Sequence, residues 1–90
     1  MSKIEGWMKG NPKQKKFRMG KGAETAELWI NRHTGNRVWV WEESPGSWWS
    51  SYITYPSENR GEGGRLLAER TTMNEAKRKA IMWMRLNPRG

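Results

Sequence analysis

The sequence predicts an α+β fold: a three- to four-stranded antiparallel sheet with one C-terminal helix packed on one face, preceded by a basic N-terminal arm. Three observations carry this expectation. Apolar and polar residues alternate from Glu24 to Trp41 and again after Trp48. A capped, 3.6-residue periodicity begins at Thr72. Neither pattern reaches residues 1–22.

Residues 1–22 contain Gly6, Gly10, Pro12, Gly20 and Gly22 among scattered lysines, a composition that supports no regular element. They read as a flexible or docking basic arm, with residues 23–90 as a single small domain. Trp7, Met8, Phe17 and Met19 are unusual in a solvated tail, which suggests that the arm docks on something.

In the first strand Ala26, Leu28 and Ile30 fall on one side, and Thr25, Glu27, Trp29 and Asn31 on the other. In the next, Val38 and Val40 alternate with Arg37, Trp39 and Trp41. A three-residue loop of His33, Thr34 and Gly35 sets Ile30 opposite Val38 and Leu28 opposite Val40. It also puts glycine where a G1 bulge needs a left-handed residue. This register places Trp29 opposite Trp39 and Trp41 opposite Glu27, on the face away from the aliphatic residues. Ser44-Pro45-Gly46-Ser47 reads as a type II turn into a third strand, with Val38 meeting Ile53 and Trp39 meeting Tyr52. Trp49 then joins the aliphatic face and Trp48 the aromatic one, and a one-residue slip would exchange them. Pro56 to Gly64 reads as a loop, and Arg65 to Arg70 as a short fourth strand.

The helix begins with a Thr72/Glu75 capping box and ends at Asn87-Pro88. Met73, Ala76, Ala80, Trp83 and Met84 form one stripe, suited to the Leu28/Ile30/Val38/Val40 face. Arg78, Lys79, Met82 and Arg85 lie on the opposite side.

The charge of +8 over 90 residues is unevenly spread. Residues 1–22 carry seven cations against Glu5, or +6. Residues 23–64 carry three arginines against six glutamates, or −3, and residues 65–90 carry seven cations against two glutamates, or +5. Basic ends around a compact fold point to a polyanionic partner, since neutralising phosphates releases condensed counterions. The expected function is therefore non-enzymatic nucleic-acid binding, with DNA in preference to RNA. Its candidate contacts are Lys9, Lys13, Lys15, Lys16, Arg18 and Lys21 of the arm, then Arg37 and Arg65, and Arg78, Lys79 and Arg85 of the helix.

Trp29, Trp39, Trp41 and Tyr52 form a second candidate surface, an aromatic sheet face. Such a face stacks single-stranded bases in some nucleic-acid binders. Against stacking stand Glu27 and Glu43 on the same side, together with the rarity of large exposed apolar patches. A covered face is the better expectation, with the basic arm or a second copy of the chain as the cover. The alternative function uses this surface as a protein-interaction module (an adaptor or inhibitor), because tryptophan and arginine dominate interface hot spots.

Catalysis finds little material: there is no aspartate or cysteine, and the single His33 sits at a hairpin tip. No metal and no cofactor are expected. No apolar run reaches the roughly 18 residues of a membrane span, and the apolar core of a signal peptide is missing. The expected location is cytoplasmic. The layout resembles the three-stranded DNA-binding domains in which a sheet enters the major groove. The resemblance rests on Arg37-Val38-Trp39-Val40 and on Thr72-Met73-Asn74-Glu75-Ala76. In that family the similar strand is the last before the helix; here the third strand and the short fourth intervene.

Overall fold

The computed structural model describes residues 4–10, 24–43, 48–59 and 62–90. The chain runs through β1 (Trp7–Lys9), β2 (Glu24–Asn31), β3 (Arg37–Glu42), β4 (Trp49–Asn59), β5 (Glu62–Thr71) and α1 (Met73–Leu86). The strands form one antiparallel meander in the order β1-β2-β3-β4-β5. The sheet thus has five strands rather than three or four. Among the described residues no helix is long and apolar enough to cross a membrane.

The additional strand is β1, within the segment expected to lack regular structure. It spans three residues between Gly6 and Gly10, too short to show alternation, and pairs Trp7 with Asn31, Met8 with Ile30 and Lys9 with Trp29. Burial of one large ring holds it there. Trp7 is 6% exposed, meets Trp83 edge-on at 5.8 Å, and donates its Nε1–H to the Asn87 carbonyl at 3.0 Å. Ile4 is buried with it. The remainder of the expected arm, residues 11–22, lies outside the described residues. The ladder between β4 and β5 also continues to Asn59 opposite Glu62, through most of the stretch expected as a loop.

The β2–β3 hairpin differs from expectation by one residue. Ile30 faces Arg37, Trp29 faces Val38 and Leu28 faces Trp39. The cause lies in Asn31, which is 1% exposed. Its Oδ1 accepts hydrogen bonds from the His33 and Thr34 amides at 2.9 and 3.1 Å, while its Nδ2 donates to the Pro88 carbonyl at 3.1 Å. These contacts build a four-residue loop, Arg32 to Gly35, closed by Asn31 N–H to Asn36 O at 2.8 Å. Gly35 takes the left-handed conformation at φ 79°. Asn31 must face the helix side to reach Pro88, and Trp29, two residues before, faces the same way. A one-residue change of register exchanges the two faces of a strand, so Leu28 and Ile30 turn to the far side.

The β3–β4 pairing has the expected register, with Val38 opposite Ile53 and Trp39 opposite Tyr52. Trp49 packs with the helix-side core, whereas Trp48 is 58% exposed. The turn expected at residues 44–47 lies outside the described residues. Val38, Val40 and Ile53 are fully buried against Ala76, Ala80 and Met84 of α1. Alanines at the contact let the helix backbone lie close to the sheet. Each fully buried Val, Ile or Met contributes about 1.5–3 kcal/mol.

The helix bounds agree with the sequence pattern. Thr72 caps the N-terminus, its Oγ1 accepting from the Glu75 amide at 3.2 Å. Glu75 turns its carboxylate to Arg78, so only the threonine half of the expected capping box is made. Asn87 closes the C-terminus with Nδ2 donating to the Trp83 carbonyl at 2.8 Å. Met73, expected in the buried stripe, stands in the first turn at 45% exposure.

Gly6 offers a direct test of how β1 docks. It sits at φ 83°, and a Cβ there would lie 1.8 Å from the Pro88 carbonyl oxygen. Gly6→Ala is expected to cost about 2 kcal/mol or more, combining a strained left-handed residue with a backbone clash. Urea unfolding followed by tryptophan fluorescence measures it; an unchanged midpoint contradicts this docking.

Candidate nucleic-acid interface

The aromatic surface is built differently from the sequence expectation. Trp39, Trp41 and Tyr52 share the face away from α1, where Trp39 stacks near Tyr52 at 6.4 Å and Trp41 meets the Tyr52 ring edge-on at 4.4 Å. Trp39 Nε1–H donates to Thr54 Oγ1 at 3.2 Å. Trp29 is not part of this face. It belongs to the helix-side core at 5% exposure, a consequence of the Asn31 register. Leu28 and Ile30 take its place beside Trp39.

The face is closed at its centre. Leu28 is 0% and Trp39 4% exposed, although α1 lies on the other side of the sheet. The Gly10 backbone stands against Leu28 and Ile30, where a Cβ would meet Leu28 Cδ2 at 3.0 Å. Trp41 and Tyr52 are half-buried. Stacking a base requires an open ring face, which Trp39 lacks. Burial also pushes the Tyr52 phenol up to about 12.

The cations fall into three groups. Lys13, Lys15, Lys16, Arg18 and Lys21 lie outside the described residues. Lys9 and Arg78 are engaged within the fold. The Lys9 ammonium sits 4.4 Å from the Trp29 ring centroid and pairs with Glu27, which Lys77 also holds at 2.9 Å. Glu27, expected beside Trp41 on the far face, therefore stands on the helix side and ties β1, β2 and α1 together. Burial acts to raise its carboxyl, but the hydrogen bonds and charges of Lys9 and Lys77 outweigh that and hold it below its ordinary range. Arg78 makes two hydrogen bonds to Glu75, at 2.6 and 2.7 Å.

The third group faces solvent. Lys79 and Arg85 project from α1, Arg65 from β5 and Arg89 from the C-terminal turn, and none makes an ion pair among the described residues. Arg37 is half-buried on the aromatic side, opposite Ile30 and Thr54. Among the described residues the candidate cations thus lie on both sides of the sheet, those of α1 on one and Arg37 on the other. Sequence reasoning passed over Arg89 and Leu86, the latter 76% exposed. Helical spacing would have shown Leu86, since it follows Met82 by four residues on the outer side.

No protein-family model, curated protein or solved structure matches this chain. Among the described residues no cluster of His, Cys, Asp or Glu could hold a metal ion.

Two titrations test this arrangement. The Tyr52 phenol, raised in the folded state to about 12, is expected to ionise only near that pH, with loss of its signal in Tyr52→Phe. Ionisation near the ordinary value of about 10 would show an open face. For Glu27, a folded-state pKa below the unfolded one means that the folded protein binds fewer protons in that interval. Its contribution is present above the unfolded pKa and is lost as pH falls through the depressed folded value. Glu27→Gln should therefore flatten the acid limb of the stability–pH curve; an identical limb in both proteins contradicts the Lys9–Glu27–Lys77 tie.

Proposed function

We propose that the protein is a small, non-enzymatic nucleic-acid-binding protein that contacts phosphates, with DNA as its preferred partner. The observation that carries this reading is the junction of the two basic stretches. β1, inside the stretch of +6, is fastened beside the last turn of α1 through Trp7, Trp83 and Asn87, next to Arg85 and Arg89 of the stretch of +5. β1 is also joined to α1 where Lys9 and Lys77 share Glu27, so the two basic stretches meet on the α1 side of the sheet, where a single polyanion can reach both. Lys79 and Arg85 supply contacts from α1, with Lys13, Lys15, Lys16, Arg18 and Lys21 assigned to the same role.

The closed aromatic face favours backbone contact over base stacking. Of the four residues expected to form it, Trp39 is buried and Trp29 lies on the opposite side, which leaves the half-buried Trp41 and Tyr52 with the exposed Trp48 outside that set. The same burial argues against the alternative of a protein-interaction module using that face.

Affinity for a labelled DNA duplex should fall linearly with log salt concentration, with a slope of about −0.9 per phosphate contacted. Lys79→Gln and Arg85→Gln should each reduce the slope by about one, uniformly across sequences. Single strands should bind no more tightly and leave tryptophan emission little quenched. Absence of duplex binding at about 50 mM salt, where such contacts are strong, refutes the reading.

A further inference from the structure

The phosphate reading makes no use of the most exposed apolar residues of α1. Leu86 is 76% and Met82 46% exposed, and they lie one turn apart. Together with Asn74, Lys77, Arg78, Ile81 and Arg85 they line one continuous surface along the helix. At 3.6 residues per turn, Arg78 and Arg85 fall along the middle of this surface. Met82 and Leu86 lie to one side of that line and Ile81 to the other. Two exposed apolar side chains one turn apart beside cations differ from a singly exposed residue, which is ordinary on a solvated helix face. They also differ from a simple phosphate track, which gains nothing from methionine and leucine.

We infer that the outer face of α1 docks an acidic amphipathic helix of another protein. The argument is charge complementarity joined to spacing. With Lys77 held by Glu27, the helix offers Arg78, Lys79 and Arg85 against Glu75, a net +2. A partner helix with carboxylates two turns apart meets Arg78 and Arg85, and its flanking apolar residues cover Met82, Leu86 and Ile81. Helices pack side by side at about 8–10 Å, within reach of such side chains. Methionine adapts its shape to a partner at little cost. The Arg78–Glu75 pair is exposed, and exposed pairs of this kind contribute little, so exchanging Glu75 for a partner carboxylate is nearly neutral.

Other occupants fit less well. A second copy of the chain brings the same cations, so apposed α1 faces repel. A bilayer favours a continuous apolar face with cations at its borders, whereas here Arg78 and Arg85 stand between the apolar residues. This inference does not rest on the nucleic-acid reading, with which it shares Arg85 but not Met82 or Leu86.

The test uses the full chain and a fluorescent synthetic helix of about 14 residues, the length of α1, with leucines one turn apart flanking glutamates two turns apart. Binding in roughly the micromolar range is expected, with none for the same peptide carrying lysine for glutamate. Leu86→Ser and Arg85→Glu should each weaken it about tenfold. Met82→Ser provides a second apolar variant, and an unchanged Tm shows that each variant keeps the fold. No binding up to about 1 mM, equal binding of the lysine peptide, or full binding by Leu86→Ser with Met82→Ser each overturns the proposal. So does a loss, on Leu86→Ser, of binding to duplex DNA or to phosphatidylserine vesicles, which would assign the surface to that partner. A failed peptide experiment with an intact DNA salt slope removes this inference alone.

Discussion

The Asn31 side chain works in two directions. Its carbonyl oxygen gathers the His33 and Thr34 amides into the turn after β2, and its amide group donates to Pro88 beyond the end of α1. The first contact sets the loop length; the second requires the side chain to point toward the helix. Together they determine which face the residues from Glu27 to Asn31 present, as far as the irregularity in pairing between Thr25 and Glu27. Trp29 and Glu27 follow Asn31 to the helix side, where Trp29 enters the core and Glu27 meets Lys77. Leu28 and Ile30 go to the other side, beneath the Gly10 backbone and beside Trp39. Buried amides left without partners cost about 1–3 kcal/mol, so a register that separated Asn31 from Pro88 would be penalised at this residue as well as in packing.

A chain that is 34% apolar has little material for a core, yet this one buries side chains on both faces of its sheet. Tryptophan makes that feasible, since each aromatic residue buries roughly 150–250 Å². Trp7 and Trp29 enclose the flank of the helix-side cluster, while Trp39 anchors the far one. The two clusters differ in composition. Under α1, Val38, Val40, Ile53, Ala76, Ala80 and Met84 form an aliphatic layer bordered by rings. Across the sheet, Leu28 lies among Ile30, Trp39, Trp41 and Tyr52. The second cluster depends on the first, because both are set by the strand register that Asn31 and the helix terminus enforce.

The legible parts of the fold were those governed by local chemistry. Thr72 with an amide three residues on, and Asn87 before proline, bounded α1 correctly, and the Val38/Ile53 register agreed with the one drawn from a Ser44–Ser47 turn. What escaped depends on distant contacts. β1 spans too few residues for any periodicity, and the Trp83 ring of α1 and the Asn87 carbonyl, eighty residues after Trp7, hold it in place. Matching Leu28 and Ile30 with Val38 and Val40 selected a three-residue β2–β3 loop, one residue shorter than the loop that forms. That preference assumed a single apolar face. The protein buries both, so an all-aliphatic match had no advantage, and the polar anchor at Asn31 decided the register. For the candidate site, the exposed cations of α1 were visible from helical spacing, whereas the engagement of Lys9 by Glu27 and Trp29 was not.

Changing the register also changes the argument about the aromatic face. In the sequence, Glu27 beside Trp41 made the surface acidic, and like charge was the objection to a polyanion there. In the structure Glu27 stands across the sheet and is neutralised by two lysines, while Glu43 accepts a hydrogen bond from Ser50 at 2.7 Å. Of the two glutamates that stood against stacking, Glu27 is thus taken up by internal ion pairs and Glu43 by a hydrogen bond. The obstacle to stacking is access: Trp39 is buried and its neighbour Tyr52 sits in an environment dry enough to raise its phenol to about 12. Charge and aromatic surface are thereby separated. Lys79, Arg85 and Arg89 remain open at the helix end of the molecule, and the rings serve the fold.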